Sequence, residues 1–145
     1  MLAYLIDPAL RRIADIELPN DVRGSLDEMR RIIGCKYLDH ARLSEFNDEL
    51  WCDEWALLNG LPVWAFQFRN RRGTSNPYGG KCIVTGATAT GESAPPSMPK
   101  VMIENDVCWL DEILPEIHPI TETADLAHGQ RVHRIRNIVT WSRPK

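Results

Sequence analysis

Residues 62–85 constrain the chain more than any other stretch. An apolar, aromatic run (Val63, Trp64, Ala65, Phe66, Phe68) leads into a basic, Gly/Asn-rich segment from Arg69 to Lys81, and a second apolar run, Cys82 to Val84, follows. Alternation along the first run predicts a core strand with Trp64, Phe66 and Phe68 inward. The basic segment is then either a solvated hairpin loop or a ligand site. Guanidinium forks suit phosphate oxygens, glycines let backbone N–H groups approach an anion, and an aromatic face can stack on a base. For the site reading the expected lining is Phe68, Arg69, Asn70, Arg71, Arg72, Asn76 and Tyr78. The segment is no phosphate-binding P-loop, because Gly80-Lys81 runs on into Cys82 instead of Ser or Thr.

The flanking sequence predicts an α+β fold with a mostly antiparallel sheet, in a single domain over residues 1–145. Residues 2–6 and 11–18 read as strands of an opening hairpin, with Asp7-Pro8 at the turn. Ser25 and Glu28 have the spacing of a capping box, and Leu26, Met29, Ile32 and Ile33 recur at helical spacing, so a helix is expected over 25–33 with Gly34 as its C-terminal stop. From Cys35 to Leu58 short strand-like runs alternate with turns, a meander whose Trp51 and Trp55 suit a core. Gly86 to Pro99 reads as a loop and Val101 to Ile103 as a short strand. Val107, Leu110, Ile113 and Leu114 at helical spacing predict a second helix over 106–114, stopped by Pro115. Residues 115–130 lack a clear period, and 132–141 reads as a last strand.

The net charge of −3 argues against general attraction to nucleic acid or membranes, but the charges are unevenly placed. Residues 104–128 hold seven acids and no Lys or Arg; residues 129–145 hold five bases and no acid. Such blocks either pair, within the fold or across a subunit contact, or form two solvated faces. The basic end, with Trp141, is a weak nucleic-acid candidate opposed by the acidic block. Cys35, Cys52, Cys82 and Cys108 form no Cys-x-x-Cys pair and read as buried free thiols of a reducing cytoplasm. The start, MLAYLIDPALRR, does not read as a signal peptide, and no apolar run is long enough to span a bilayer.

Four segments together resemble a known pattern: YLIDP followed by ADIEL, LDEMRRIIGCKYLD, DELWCDEWALLNGLP and YGGKCIVTGATATGE. Over residues 2–93 the chain resembles a small domain-of-unknown-function family carried mainly by phages, prophages and bacterial plasmids. The matching positions are Ile33-Gly34, Gly60-Leu61-Pro62 and Gly80 to Glu92. Residues 1–93 form the family-like core and 97–145 an extension beyond it. The resemblance implies a mobile-element protein and names no reaction. By analogy with small phage proteins that act against host defence, it suggests an accessory protein that binds and sequesters a nucleotide-derived signal as a homo-oligomer, without a cofactor and without turnover. Two alternatives stand beside it: an inhibitor that blocks a host enzyme by surface contact, and a hydrolase of the same signal using Asp39, His40 or Glu45. Neither those residues nor His118, His128 and His133 have metal-ligand spacing.

Overall fold

The computed structural model describes residues 1–43 and 47–145. Its elements run β1 (Leu2–Asp7), β2 (Arg12–Glu17), α1 (Val22–Ile33), β3 (Leu38–Arg42), β4 (Glu49–Asp53), β5 (Val63–Asn70), β6 (Gly73–Thr74), β7 (Tyr78–Gly79), β8 (Cys82–Ala87), β9 (Ser93–Ala94), α2 (Lys100–Asp106), β10 (Val107–Asp125) and β11 (Arg131–Ser142). The fold is α+β, as expected, and every strand pairing among the described residues is antiparallel.

The strands divide into two sheets. The first has the order β2-β1-β8-β4-β3, with β9 on β8; the second has the order β11-β10-β5-β6, with β7 on β5. The two apolar runs of the 62–85 stretch therefore belong to different sheets. β5 turns back on itself through β6 and β7, and the chain crosses into the first sheet at β8.

Period-2 alternation decides how the layers stack. In β1, Tyr4 and Ile6 point to one face and Ala3 and Leu5 to the other; in β8, Cys82 and Val84 oppose Ile83. One face of the first sheet meets Phe66 and Phe68 of the second sheet with Met98 and Ile103. The opposite face meets Met29, Ile32 and Ile33 of α1. The first sheet is thus covered on both sides, and β8, its central strand, is buried from Cys82 to Gly86. A Cβ at Gly86 would lie 2.3 Å from the Pro95 carbonyl oxygen, so the β8–β9 crossing admits only glycine.

Several local expectations are corrected. α1 starts earlier than residue 25: Asp21 is the N-cap, its carboxylate accepting from Gly24 N at 2.7 Å. A carboxylate caps well and also answers the helix dipole, so it takes the start from Ser25. Ser25 falls inside the helix with its hydroxyl buried and unpaired, and Glu28 accepts from Arg31 Nε at 2.9 Å. Gly34 ends the helix in the left-handed region (φ 78°), as expected. Trp55 is 53% exposed and lies in a turn; Trp51 is half-buried, its indole donating to Thr85 Oγ1 at 2.9 Å. Trp64, expected inward, is 41% exposed. Residues 101–103 are helical, within α2.

The largest correction concerns the C-terminal part. The second helix is Lys100–Asp106, and residues 107–125, expected as helix followed by irregular chain, form one long strand. The helical-looking spacing has a definite origin. β10 pairs with β5 through a bulge between Trp109 and Asp111. Val107 and Trp109 pack toward the main core, and after the bulge Leu110 and Ile113 pack with Ala65 on the other face. One extra residue shifts the alternation, so apolar side chains three apart mimic a helix. Asp111, in the bulge, and Arg11, in the β1–β2 turn, both have positive φ (61° and 49°), and Arg11 Nε donates to Asp111 Oδ1 at 2.9 Å.

Beyond Leu114, β10 pairs with β11 alone, from Leu114–Ser142 to Asp125–Arg131. The turn closes through Leu126 N to Gln130 O (2.7 Å) and Gly129 N to Leu126 O (3.1 Å), with Gly129 at φ 73°. Here the two charge blocks meet within the fold: Arg136 pairs Glu122 at 3.0 Å and Arg131 pairs Asp125 at 3.1 Å.

Candidate functional site

The basic segment is a well-braced hairpin. Arg69 pairs with Thr74 and Asn70 with Gly73, leaving Arg71 and Arg72 at the tip. Asn70 Oδ1 accepts from Arg72 N at 2.9 Å, an Asx turn that fixes the tip, and Gly73 supplies the φ of 119° that the return needs. Ser75 then ties the return strand to β5. Its backbone N donates to Phe68 O (2.9 Å), its hydroxyl accepts from Phe68 N (3.0 Å) and donates to Asn76 O (2.8 Å), and its own carbonyl accepts from Gln67 Nε2 (3.2 Å).

This hairpin faces the end of β3 on the other sheet, and between them lies an open pocket of about 230 Å³. Phe68 and Tyr78 form its floor, with ring centroids 5.9 Å apart at 66°. Asn70, Arg72, Gly73, Thr74 and Ser75 line the hairpin side, and Arg42 and Leu43 line the β3 side. Phe68 is 9% exposed and belongs to the main core, so the floor is rigid. Burial pushes the Tyr78 hydroxyl above its ordinary pKa, so it stays protonated and can donate. Two guanidinium-bearing residues and no carboxylate line the pocket among the described residues.

Of the seven expected residues, the pocket brings together Phe68, Asn70, Arg72 and Tyr78. Arg69, Arg71 and Asn76 are exposed and do not line it. For Arg69 the reason is the pleat: with Phe68 inward, its neighbour points out. Arg42 and Leu43 were missed by sequence reasoning. A lone arginine in a short strand carries no signal by itself, and only the packing of two sheets sets it opposite a hairpin thirty residues on. Gly79 serves packing: a Cβ there would lie 3.0 Å from Leu57 and 3.1 Å from Val63.

Asp39 and His40, two of the three acid–base candidates, are described and lie away from the pocket. Asp39 Oδ1 accepts from His40 N at 2.8 Å, and the His40 ring lies against Trp51 at 5.0 Å; neither residue lines the pocket, and Glu45 lies outside the described residues. His118 Nε2 is 2.8 Å from Thr140 Oγ1 and His133 Nδ1 3.5 Å from Thr123 Oγ1, both on the ribbon. Among the described residues no group of His, Cys, Asp and Glu could hold a metal ion. The four cysteines are free thiols; Cys82 is buried and the others half-buried. Burial, with Asp39 and Asp53 close by, pushes the Cys52 thiol up to about 12, which keeps it protonated and unreactive.

Residues 1–104 match the family described as domain of unknown function DUF3846, and the chain belongs to that family. The matched segment covers the first sheet, α1, β5 to β7 and most of α2, hence every described residue lining the pocket. It ends before β10, so the C-terminal ribbon lies outside it. No curated protein and no solved structure matches the chain. Among the described residues no helix is long and apolar enough to cross a membrane.

Proposed function

We propose that this chain is a mobile-element accessory protein that captures a small nucleotide-derived signal, with the ligand's phosphate held between Arg42 and Arg72. One observation supports this above the others: an arginine from each sheet and an aromatic floor line one pocket. Charge-assisted contacts from two guanidinium groups recognise phosphate oxygens, and a ring on Tyr78 contributes roughly 1–3 kcal/mol if a base stacks there. At about 230 Å³ the pocket is smaller than those that enclose whole drug-sized ligands, so it suits one phosphate with an adjoining ring and leaves the rest of a larger ligand outside. Among the described residues no acid–base pair lines it, and the reading taken here is sequestration. The anti-defence setting comes from the kind of family the chain resembles and is analogy.

The test is calorimetric and thermal-shift titration with cyclic dinucleotides and ADP-ribose derivatives, followed by chromatography of the recovered ligand. Binding with intact ligand is expected. Arg42→Ala and Arg72→Ala should each weaken it about 10- to 100-fold, the scale of one charge-assisted contact, whereas Arg71→Ala should leave it near the wild-type value. Degraded ligand would replace sequestration by hydrolysis. No shift with any nucleotide would leave surface inhibition of a host protein as the better reading.

A further inference from the structure

Past Leu114 the β10–β11 ribbon is two strands with no third among the described residues, an arrangement that is marginal in water when left alone. It also exposes apolar side chains: Ile135 is 77% exposed, and Ile138 and Leu114 are exposed as well. Three observations fix where its main-chain groups point. Leu126 N bonds to Gln130 O, and that pair continues the register of Ala124 with Val132. At the base, the Glu112 carbonyl accepts from Arg143 Nη1, on the β11 side, at 3.4 Å. Pro115 and Pro119, which have no N–H to give, both sit at odd positions of the ladder. Even-numbered residues therefore bond across the ribbon, and odd-numbered residues turn their N–H and C=O groups to its outer edges.

The two outer edges differ. On β10 the edge is blunted by Pro115 and Pro119, as edges protected from strand addition are. On β11 it is open: His133, Ile135, Asn137, Val139 and Trp141 turn outward, and the strand contains no proline. We infer that this edge pairs antiparallel with β11 of a second copy, making one continuous sheet, β10-β11-β11-β10, about a two-fold axis through Asn137.

Charge and overlap together select that register, because axes past Asn137 also keep the arginines apart but pair fewer of the outward residues. A two-fold axis at Ile135 would set Arg134 against the partner's Arg136, and one at Arg136 would set that residue against itself. At Asn137, Ile135 faces the partner's Val139, Arg136 the partner's Ile138 and Arg134 the partner's Thr140, so no like charges meet between Val132 and Ser142. Arg131 and Arg136 are already matched by Asp125 and Glu122 on β10, which removes the repulsion that would otherwise keep two basic strands apart. Two bonds per outward pair give about ten main-chain hydrogen bonds, as many as an ordinary stable interface carries. β6, which helps line the pocket, is at the far edge of the same sheet, so the pocket stays open in this dimer and the two readings stand or fall separately.

Sedimentation equilibrium of the full chain should give twice the 16.5 kDa chain mass. Asn137→Pro removes an outward N–H and spares the bonds within the ribbon; it should sediment as a monomer with the far-UV spectrum of the wild type. A wild-type chain still monomeric at roughly 100 µM, weaker than specific association requires, overturns the inference, as does a dimeric Asn137→Pro. Should that variant misfold, Thr140 decides the matter. Thr140→Glu, facing the partner's Arg134, should tighten the dimer several-fold and Thr140→Arg should loosen it; equal dissociation constants for the two would sink the proposed register.

Discussion

The two ends of β10 obey different rules. From Val107 to Ile113 the strand lies on β5, and its inward side chains join packed clusters. From Leu114 to Asp125 it lies on β11 alone, and its side chains are mostly exposed. The first part is held by burial, the second by main-chain bonds and paired charges. This division falls close to the end of the family match at residue 104.

The largest expected contrast is between Phe66 and Ile135. Phe66→Ala empties a site with no solvent exposure and should cost about 3–5 kcal/mol by chemical denaturation, whereas Ile135→Ala should stay within about 0.5 kcal/mol in the monomer. Equal losses would erase the division between core and ribbon. Next is Asp48, fully buried, whose carboxylate accepts from Ser97 N (2.8 Å) and Met98 N (2.7 Å) and so clips the 95–98 segment over the core. Asp48→Ala removes the carboxylate that accepts from both N–H groups and should cost about 2–4 kcal/mol in the same measurement. Replacing residues 119–137 by an Asn-Gly turn between His118 and Ile138, which face each other, should change the melting temperature by only a few degrees for a chain of this size. A collapse of the whole transition would show that the ribbon is part of the core after all.

The smallest effect is expected where the β1–β2 turn meets the core half of β10. Arg11 holds the Asp111 carboxyl below its usual pKa, chiefly through their hydrogen bonds. A lowered folded-state pKa adds stability above the unfolded value and loses it as pH falls through the folded one. Asp111→Asn should therefore lower the melting temperature slightly near neutrality, because the pair is exposed, and match the wild type once acid has protonated the carboxyl. A difference that persists in acid would point to the positive φ at residue 111 instead of the charge.

Sequence legibility divides along the same line. The opening hairpin, α1 with Gly34 and the strand character of 63–68 were readable because each is set by local period and caps. Helix α1's true start was hidden because Ser25 and Asp21 both suit an N-cap, and the Ser25–Glu28 spacing imitates a capping box that the Asp21 cap displaces. β10 was misread because its bulge breaks the alternation that marks a strand, and its far half has no core to impose one. In the pocket, Phe68, Asn70, Arg72 and Tyr78 were legible as a cluster in sequence. Arg42 was not, since its place is fixed by contact between sheets.

That placement has a mechanical meaning. With Arg42 rooted in one sheet and Arg72 in the other, an anion that gripped both, as proposed, would act as a rivet through the sandwich. Prying the layers apart would first require it to leave, so occupancy should raise the single cooperative melting transition of the whole body instead of merely quieting one hairpin.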